Sequence, residues 1–269
     1  MLSICMAVYR KNRIITLRAY PWSHIMSRVI GGSLSFLLPV LLYYYVFDKT
    51  ITPEFIKYSK TSDYLQYMLL GQSLNILSFS TLMNVGRCLI LEIREGTLDT
   101  FLISPASRMG YYVGSYCEQF GRSCIEFGAV LLMGILCGVH ISFTSFFTLI
   151  IVVVLSSVSF FSVAVLVSII MVYTRDTFIT QNTIFYLMQL VCGVLFPIEY
   201  LPMPLQALAE IFPLTPSLRL IRGAVMTHLP IAQCLVHFVH MLLLSVIYLA
   251  LGYFLFRKRE KILVEQVLA

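Results

Sequence analysis

The sequence has 269 residues, 59% hydrophobic and only 12% charged, with a mean hydropathy of +0.87. A soluble domain carries about 25% charge, so this chain has too few polar groups to cover a surface facing water. Its net charge of +6 comes with no soluble basic face carrying base-reading elements, which excludes nucleic acid as a partner.

The apolar runs are continuous and about 20 residues long, the length of a helix crossing a bilayer core. Barrel strands would alternate with period two. The pattern predicts an all-α integral membrane protein, a single transmembrane domain of six helices, with three further segments that do not cross. The first of these is 1–25, where Arg10, Lys11, Arg13 and Arg18 stand among apolar residues before Pro21-Trp22. It is too charged to span or to serve as a signal peptide. An interfacial helix with its basic groups toward lipid phosphates is expected.

Span one is expected at about 29–47, with Gly31, Gly32 and Pro39 thinning or kinking it. Tyr43, Tyr44, Tyr45, Phe47, Tyr64 and Tyr67 fit an outer aromatic belt. Span two follows at 64–86, where Gln72, Asn75, Phe79 and Met83 share one helical stripe. The second non-crossing segment is a helix over 92–103. Glu92, Glu95 and Asp99 lie on one face, with Leu91, Leu98, Phe101 and Leu102 on another, and Pro105 ends it. An acidic amphipathic helix suits the docking of a soluble partner; a passive interfacial loop is the other reading.

Residues 127–174 carry no charge, enough for two crossings. A break at Gly138–Ser142 gives span three at 115–138 and span four at 143–172. Glu118, Arg122 and Glu126 recur at four-residue intervals in span three and form a structural or coupling network. Ser156, Ser157, Ser159 and Ser162 read as close-packing residues of span four. Span five covers 177–197. Gln181, Gln189 and Cys192 share a stripe there, with Asn182 beside it. Buried amides in a membrane face protein or a wetted cavity, so these residues line a pathway or hold helices together. The third non-crossing segment holds two outer helices within 203–226, cut by Pro202, Pro204, Pro213 and Pro216. They are expected re-entrant or flat at the interface. Span six occupies 231–256.

Basic residues set the orientation. Fourteen fall on the side of the termini and the 87–114 and 173–176 connections; five (Lys49, Lys57, Lys60, Arg219, Arg222) fall on the other. Both termini are therefore expected in the cytoplasm. The seven cysteines contain no CxxC pair and read as packing residues. His237 and His240 lie one turn apart but lack a third ligand and a base. No metal site and no catalytic residue is expected.

The order of these parts resembles the permease subunits of the ABC type-2 exporter family. The inner match is Glu92, Arg94, Glu95, Gly96, Thr97, Leu98, Ser104, Pro105, Ser107 and Arg108; the outer is Phe196, Pro197, Leu201, Pro202, Pro213, Leu214, Thr215 and Arg222. The resemblance implies that 92–103 is a coupling helix docked on a separate ABC ATPase, with Glu92, Arg94, Glu95, Gly96, Thr97, Leu98, Asp99 and Leu102 at the contact. It implies a pathway between two permeases, the second being another copy or a paralogue, along Gln72, Asn75, Phe79, Met83, Gln181, Asn182 and Gln189. ATP and Mg would sit on the partner, since this chain has no phosphate-cradling G-x-x-x-x-G-K-[ST] and is expected to bind no cofactor. The implied cargo is an amphipathic drug, lipid or peptide moved out across a bacterial inner membrane. A polysaccharide or lipid-linked glycan is the alternative. A channel or proton-coupled transporter is more remote, because only Glu126 offers an intramembrane carboxylate.

Overall fold

The computed structural model describes residues 2–19, 22–45, 48, 50–103, 107–139, 143–174, 178–226 and 231–268. Among them the chain is helical, with no strand. Helix α1 (Leu2–Ala19) leads into α2 (Ser23–Tyr45) and the short α3 (Pro53–Ser59). Helix α4 (Tyr64–Gly86) passes through Arg87, whose backbone stays right-handed helical, into α5 (Cys88–Arg94). Then come α6 (Leu98–Ile103), α7 (Arg108–Leu136), α8 (Phe143–Thr174) and α9 (Phe178–Val191). Helices α10 (Met203–Ile211), α11 (Leu214–Val225) and α12 (Ile231–Leu268) complete the order.

Four described stretches are long and apolar enough to cross a membrane: Tyr64–Arg94, Arg108–Leu136, Phe146–Val172 and Cys234–Arg257. Val29–Tyr45 and Asn182–Val191 are shorter apolar helices. The fold is that of an all-helical membrane protein. Several boundaries differ from those expected. Helix α4 ends at Gly86, the expected limit of span two, and α5 carries the apolar stretch on to Arg94. The helix of span five ends at Val191 instead of 197. Helix α7 begins at Arg108, seven residues before the expected 115, and α12 continues past 256 to Leu268. Charges bound a hydrocarbon layer but do not end a helix, so charge-free runs underestimate helices that continue past the membrane face.

The uncharged run 127–174 divides at a glycine cap. Gly138 has φ +89°, its N–H donates to Ile135 O at 3.0 Å, and Val139 N–H donates to Gly134 O at 3.0 Å. This pair of bonds with a left-handed glycine is the Schellman arrangement that satisfies the last carbonyls of a helix.

Helix α4 is the centre of the bundle. Asp63 caps it by accepting from Gln66 N at 3.0 Å, and its residues are buried nearly all round from Tyr67 to Leu82. It packs against α7, α8 and α11. Buried polar groups join neighbours where lipid offers no partner. Gln119 Nε2 and Ser123 Oγ of α7 donate to Ser80 Oγ of α4 at 2.6 and 2.9 Å. The serines of α8 pair likewise. Tyr112 donates to Ser168 (3.0 Å), Tyr116 to Ser157 (2.7 Å), and Ser245 of α12 to Ser159 (2.7 Å).

Of the two expected placements of the outer helices, re-entrant or flat, α11 is packed into the protein and does not lie flat on it. Leu214, Leu218, Ile221 and Val225 are buried, and the helix inserts among α4, α8 and α12. Helix α1 ends at Ala19 and lies on α7 as well as facing outward: Asn12 Nδ2 donates to Ser115 Oγ at 3.3 Å, while Ile14, Ile15 and Leu17 stay exposed.

Candidate functional site

The α5–α6 end is built around one carboxylate. Glu92 is 6% exposed. Its Oε1 accepts from Lys11 Nζ of α1 and from Tyr111 OH of α7, both at 2.8 Å, and its Oε2 accepts from Thr97 Oγ1. The expected acidic face therefore does not form. The expected single helix over 92–103 is instead the end of α5, a turn at Glu95–Thr97, and α6. Gly96 makes that turn with φ +69°; its N–H donates to Ile93 O (3.2 Å) and Thr97 N–H to Glu92 O (3.0 Å). This is again a Schellman cap, with the Glu92 carbonyl as its acceptor while the Glu92 carboxylate turns inward to Lys11, Tyr111 and Thr97.

The rest of the motif serves the same corner. Ser107 caps α7, accepting from Gly110 N at 3.2 Å. Arg108 Nη1 donates to Phe101 O at 2.7 Å, and its guanidinium lies over the Phe101 ring, 4.6 Å from its centre. A cation there complements the C-terminal carbonyls of α6. What the corner leaves exposed is Leu91 (44%), Ile93 (36%), Arg94, Glu95 and Gly96. Leu98 is half-buried, and the Asp99 and Leu102 side chains, with Ser104 and Pro105, lie outside the described residues.

Beside this corner, a cleft of about 440 Å³ opens between α2, α4, α7 and α9. Phe79, Met83 and Arg87 line it with Gly31, Glu126 and Phe185; the rings of Phe79 and Phe185 are 4.1 Å apart. The expected α4 stripe is thus divided. Phe79 and Met83 face the cleft, while Gln72 and Asn75 are buried outside its lining. On α9, Asn182 and Gln189 are half-buried and outside that lining, and the Gln181 side chain lies outside the described residues. The residues of the expected charge network lie along α7. Glu118 pairs with Arg122, which donates to Thr16 Oγ1 at 3.2 Å, whereas Glu126 lines the cleft.

At the opposite end of α4, Arg222 of α11 holds the broken end of α9. Its Nη1 donates to Gly193 O at 2.8 Å, and its Nη2 to Val194 O and Tyr67 O at 3.0 and 3.3 Å. Its guanidinium lies 3.4 Å over the Tyr67 ring centre. Burial lowers the Arg222 pKa, against the opposing pull of Tyr67 and Glu199.

The family model described as ABC-2 type transporter matches residues 7–226. The chain belongs to the ABC-2 type transporter family. The match runs from α1 through α11, so it takes in both corners and the cleft. With its apolar helices, membership makes this a multi-pass membrane protein and an ABC transporter membrane subunit. The matched region is a permease domain, not an ATPase domain, and members of the family pair with an ABC ATPase. No curated protein matches the chain.

In this ABC-2 chain, residue reading missed Lys11, Tyr111, Ser80, Gln119 and Phe185. Lys11 and Glu92 are 81 positions apart, and periodicity within one segment holds no trace of such a pairing. The Gly96-Thr97 dipeptide was the available signal, since a glycine followed by a helix start marks a cap.

Proposed function

We propose that this chain is the permease subunit of an ATP-driven exporter. It crosses the membrane six times with both termini in the cytoplasm, in a bacterial plasma membrane. Two permeases, a second copy or a paralogue, flank the pathway, and a separate ABC ATPase binds the α5–α6 corner and carries ATP and Mg. The observation that carries this reading is the exposure of Leu91, Ile93, Arg94 and Glu95 on a corner whose backbone is fixed by the Gly96 cap and the Glu92 bonds. An apolar and charged patch held on a rigid turn can transmit a push, which a loose loop cannot.

The cleft supports an amphipathic cargo, a drug, lipid or peptide: Phe79, Met83 and Phe185 supply apolar wall, with Arg87 and Glu126 at its polar part. A glycan cargo finds support in Ser27, Ser35, Ser80 and Asn84, which line the same cleft beside two aromatic rings. Co-purification from membranes tests the coupling. Leu91→Asp with Ile93→Asp should release the ATPase and stop export while the permease melts at the same temperature. An intact complex with undiminished export would refute the assignment.

A further inference from the structure

A second pocket, of about 280 Å³, lies at the α10–α11 end, away from the cleft. Lys60, Tyr67, Glu199, Arg219, Arg222 and His237 line it, from the α3–α4 turn, α4, the segment before α10, α11 and α12. Three cationic side chains thus face a lining that holds one carboxylate. Arg219 is committed elsewhere: its Nη2 meets Glu210 Oε1 at 2.5 Å. The other two are not. Lys60 and Arg222 make no ion pair among the described residues. Arg222 is held by three carbonyls, and its buried Nε has no acceptor among the described residues. Carbonyl dipoles orient a guanidinium but leave its charge in place, and a poorly solvated cation favours an anion nearby.

The backbone that presents these groups is fixed. Lys60 closes α3 in the left-handed region (φ +57°), with its N–H donating to Ile56 O at 3.0 Å. Around the same end stands an aromatic cluster: the Tyr43 and Tyr64 rings stack at 5.0 Å, Phe55 meets Tyr67 at 5.2 Å, and Tyr58 meets Tyr200 at 5.5 Å. Tyrosine belts mark the depth of lipid headgroups. The pocket therefore combines two cations that make no ion pair among the described residues, against one lining carboxylate, with headgroup level.

We propose that this pocket binds a phosphate-type anion, carried by a phospholipid headgroup or by a free phosphate ester. Guanidinium and ammonium donors suit phosphate oxygens. This binding is independent of transport, so its test needs only the purified full-length chain in neutral detergent.

Isothermal titration with dihexanoyl phosphatidylglycerol, dihexanoylglycerol and glycerol 3-phosphate provides that test. The phosphate-bearing lipid should bind more tightly than dihexanoylglycerol. Lys60→Glu should weaken it about tenfold or more, the loss of one charge-assisted contact. Glu199→Gln should tighten it, because it removes the one carboxylate of the lining. Melting temperatures of both variants check folding, and Lys60→Ala replaces Lys60→Glu if that variant melts early. Parallel behaviour of glycerol 3-phosphate identifies a free anion as the ligand, and binding of the lipid alone identifies the headgroup. Equal affinity for the two lipids, or affinities unmoved by both substitutions, would overturn the proposal.

Discussion

The two ends of α4 solve the same problem with opposite charges. At the α5–α6 corner a buried carboxylate, Glu92, gathers Lys11, Tyr111 and Thr97 from three places in the chain. At the α10–α11 end a guanidinium, Arg222, donates to backbone carbonyls of Gly193, Val194 and Tyr67 and lies over the Tyr67 ring. The first hub is made of side chains and joins helices that end or turn there. The second repairs a helix that has stopped early, since α9 leaves carbonyls without intrahelical donors after Val191. A carboxylate suits the first place because its partners are donors, and arginine the second because five fixed N–H groups can reach several carbonyls at once.

Arg222→Met should give the largest effect and test that contrast most severely. It removes the guanidinium donors from three carbonyls, of which Gly193 O keeps the Tyr67 hydroxyl at 3.3 Å. A loss of about 3 kcal/mol or more is expected, read as a fall in melting temperature in detergent. Arg222→Lys should recover only part, because one ammonium cannot reproduce the fork. A variant as stable as the parent would mean that the α9 break is held by something else.

Glu92→Ala comes next, at about 2 kcal/mol. A double-mutant cycle with Lys11→Met separates the ion pair from the hydroxyl bonds. Lys11 is 45% exposed, so the pair itself should couple by only about 1 kcal/mol. Coupling near zero would make the hydroxyls of Tyr111 and Thr97 the real content of the hub.

Gly96→Ala should cost roughly 1 kcal/mol, the penalty of a Cβ in the left-handed region. No neighbour lies within 4 Å of that position, so sterics add nothing. The same variant should loosen the proposed ATPase contact by shifting α6, visible as a lower yield of complex. Leu91→Ala with Ile93→Ala should change stability least, within about 0.5 kcal/mol, and a large fall in melting temperature would show that this patch is packed against the protein and not presented outward.

These outcomes bear on how much of the site could be read in advance. The motif Glu92–Leu98 was legible as a marked place, but Glu92, expected on an outward acidic face with Glu95 and Asp99, is buried. A spacing of three and seven residues predicts a shared face only while the helix continues, and Gly96 ends it. Phe79 and Met83 were legible as a cleft-facing pair. Gln72 and Asn75 share their stripe, yet neighbouring helices close over that part of α4. Arg222 was visible as a matched residue with no role attached, because its three acceptors come from positions 67, 193 and 194.

The sequence by itself determined that this chain is helical and built for a bilayer, since apolar run length and scarce charge are sums over residues and need no tertiary information. It also located the break at Gly138 and the family resemblance carried by both motifs. Only the tertiary structure decided which charged groups are buried and with whom, where α11 lies, and which residues share a cavity. Those outcomes depend on pairings across tens to more than a hundred positions, where a polar group's cost is set by the partner it meets and not by its neighbours in the chain.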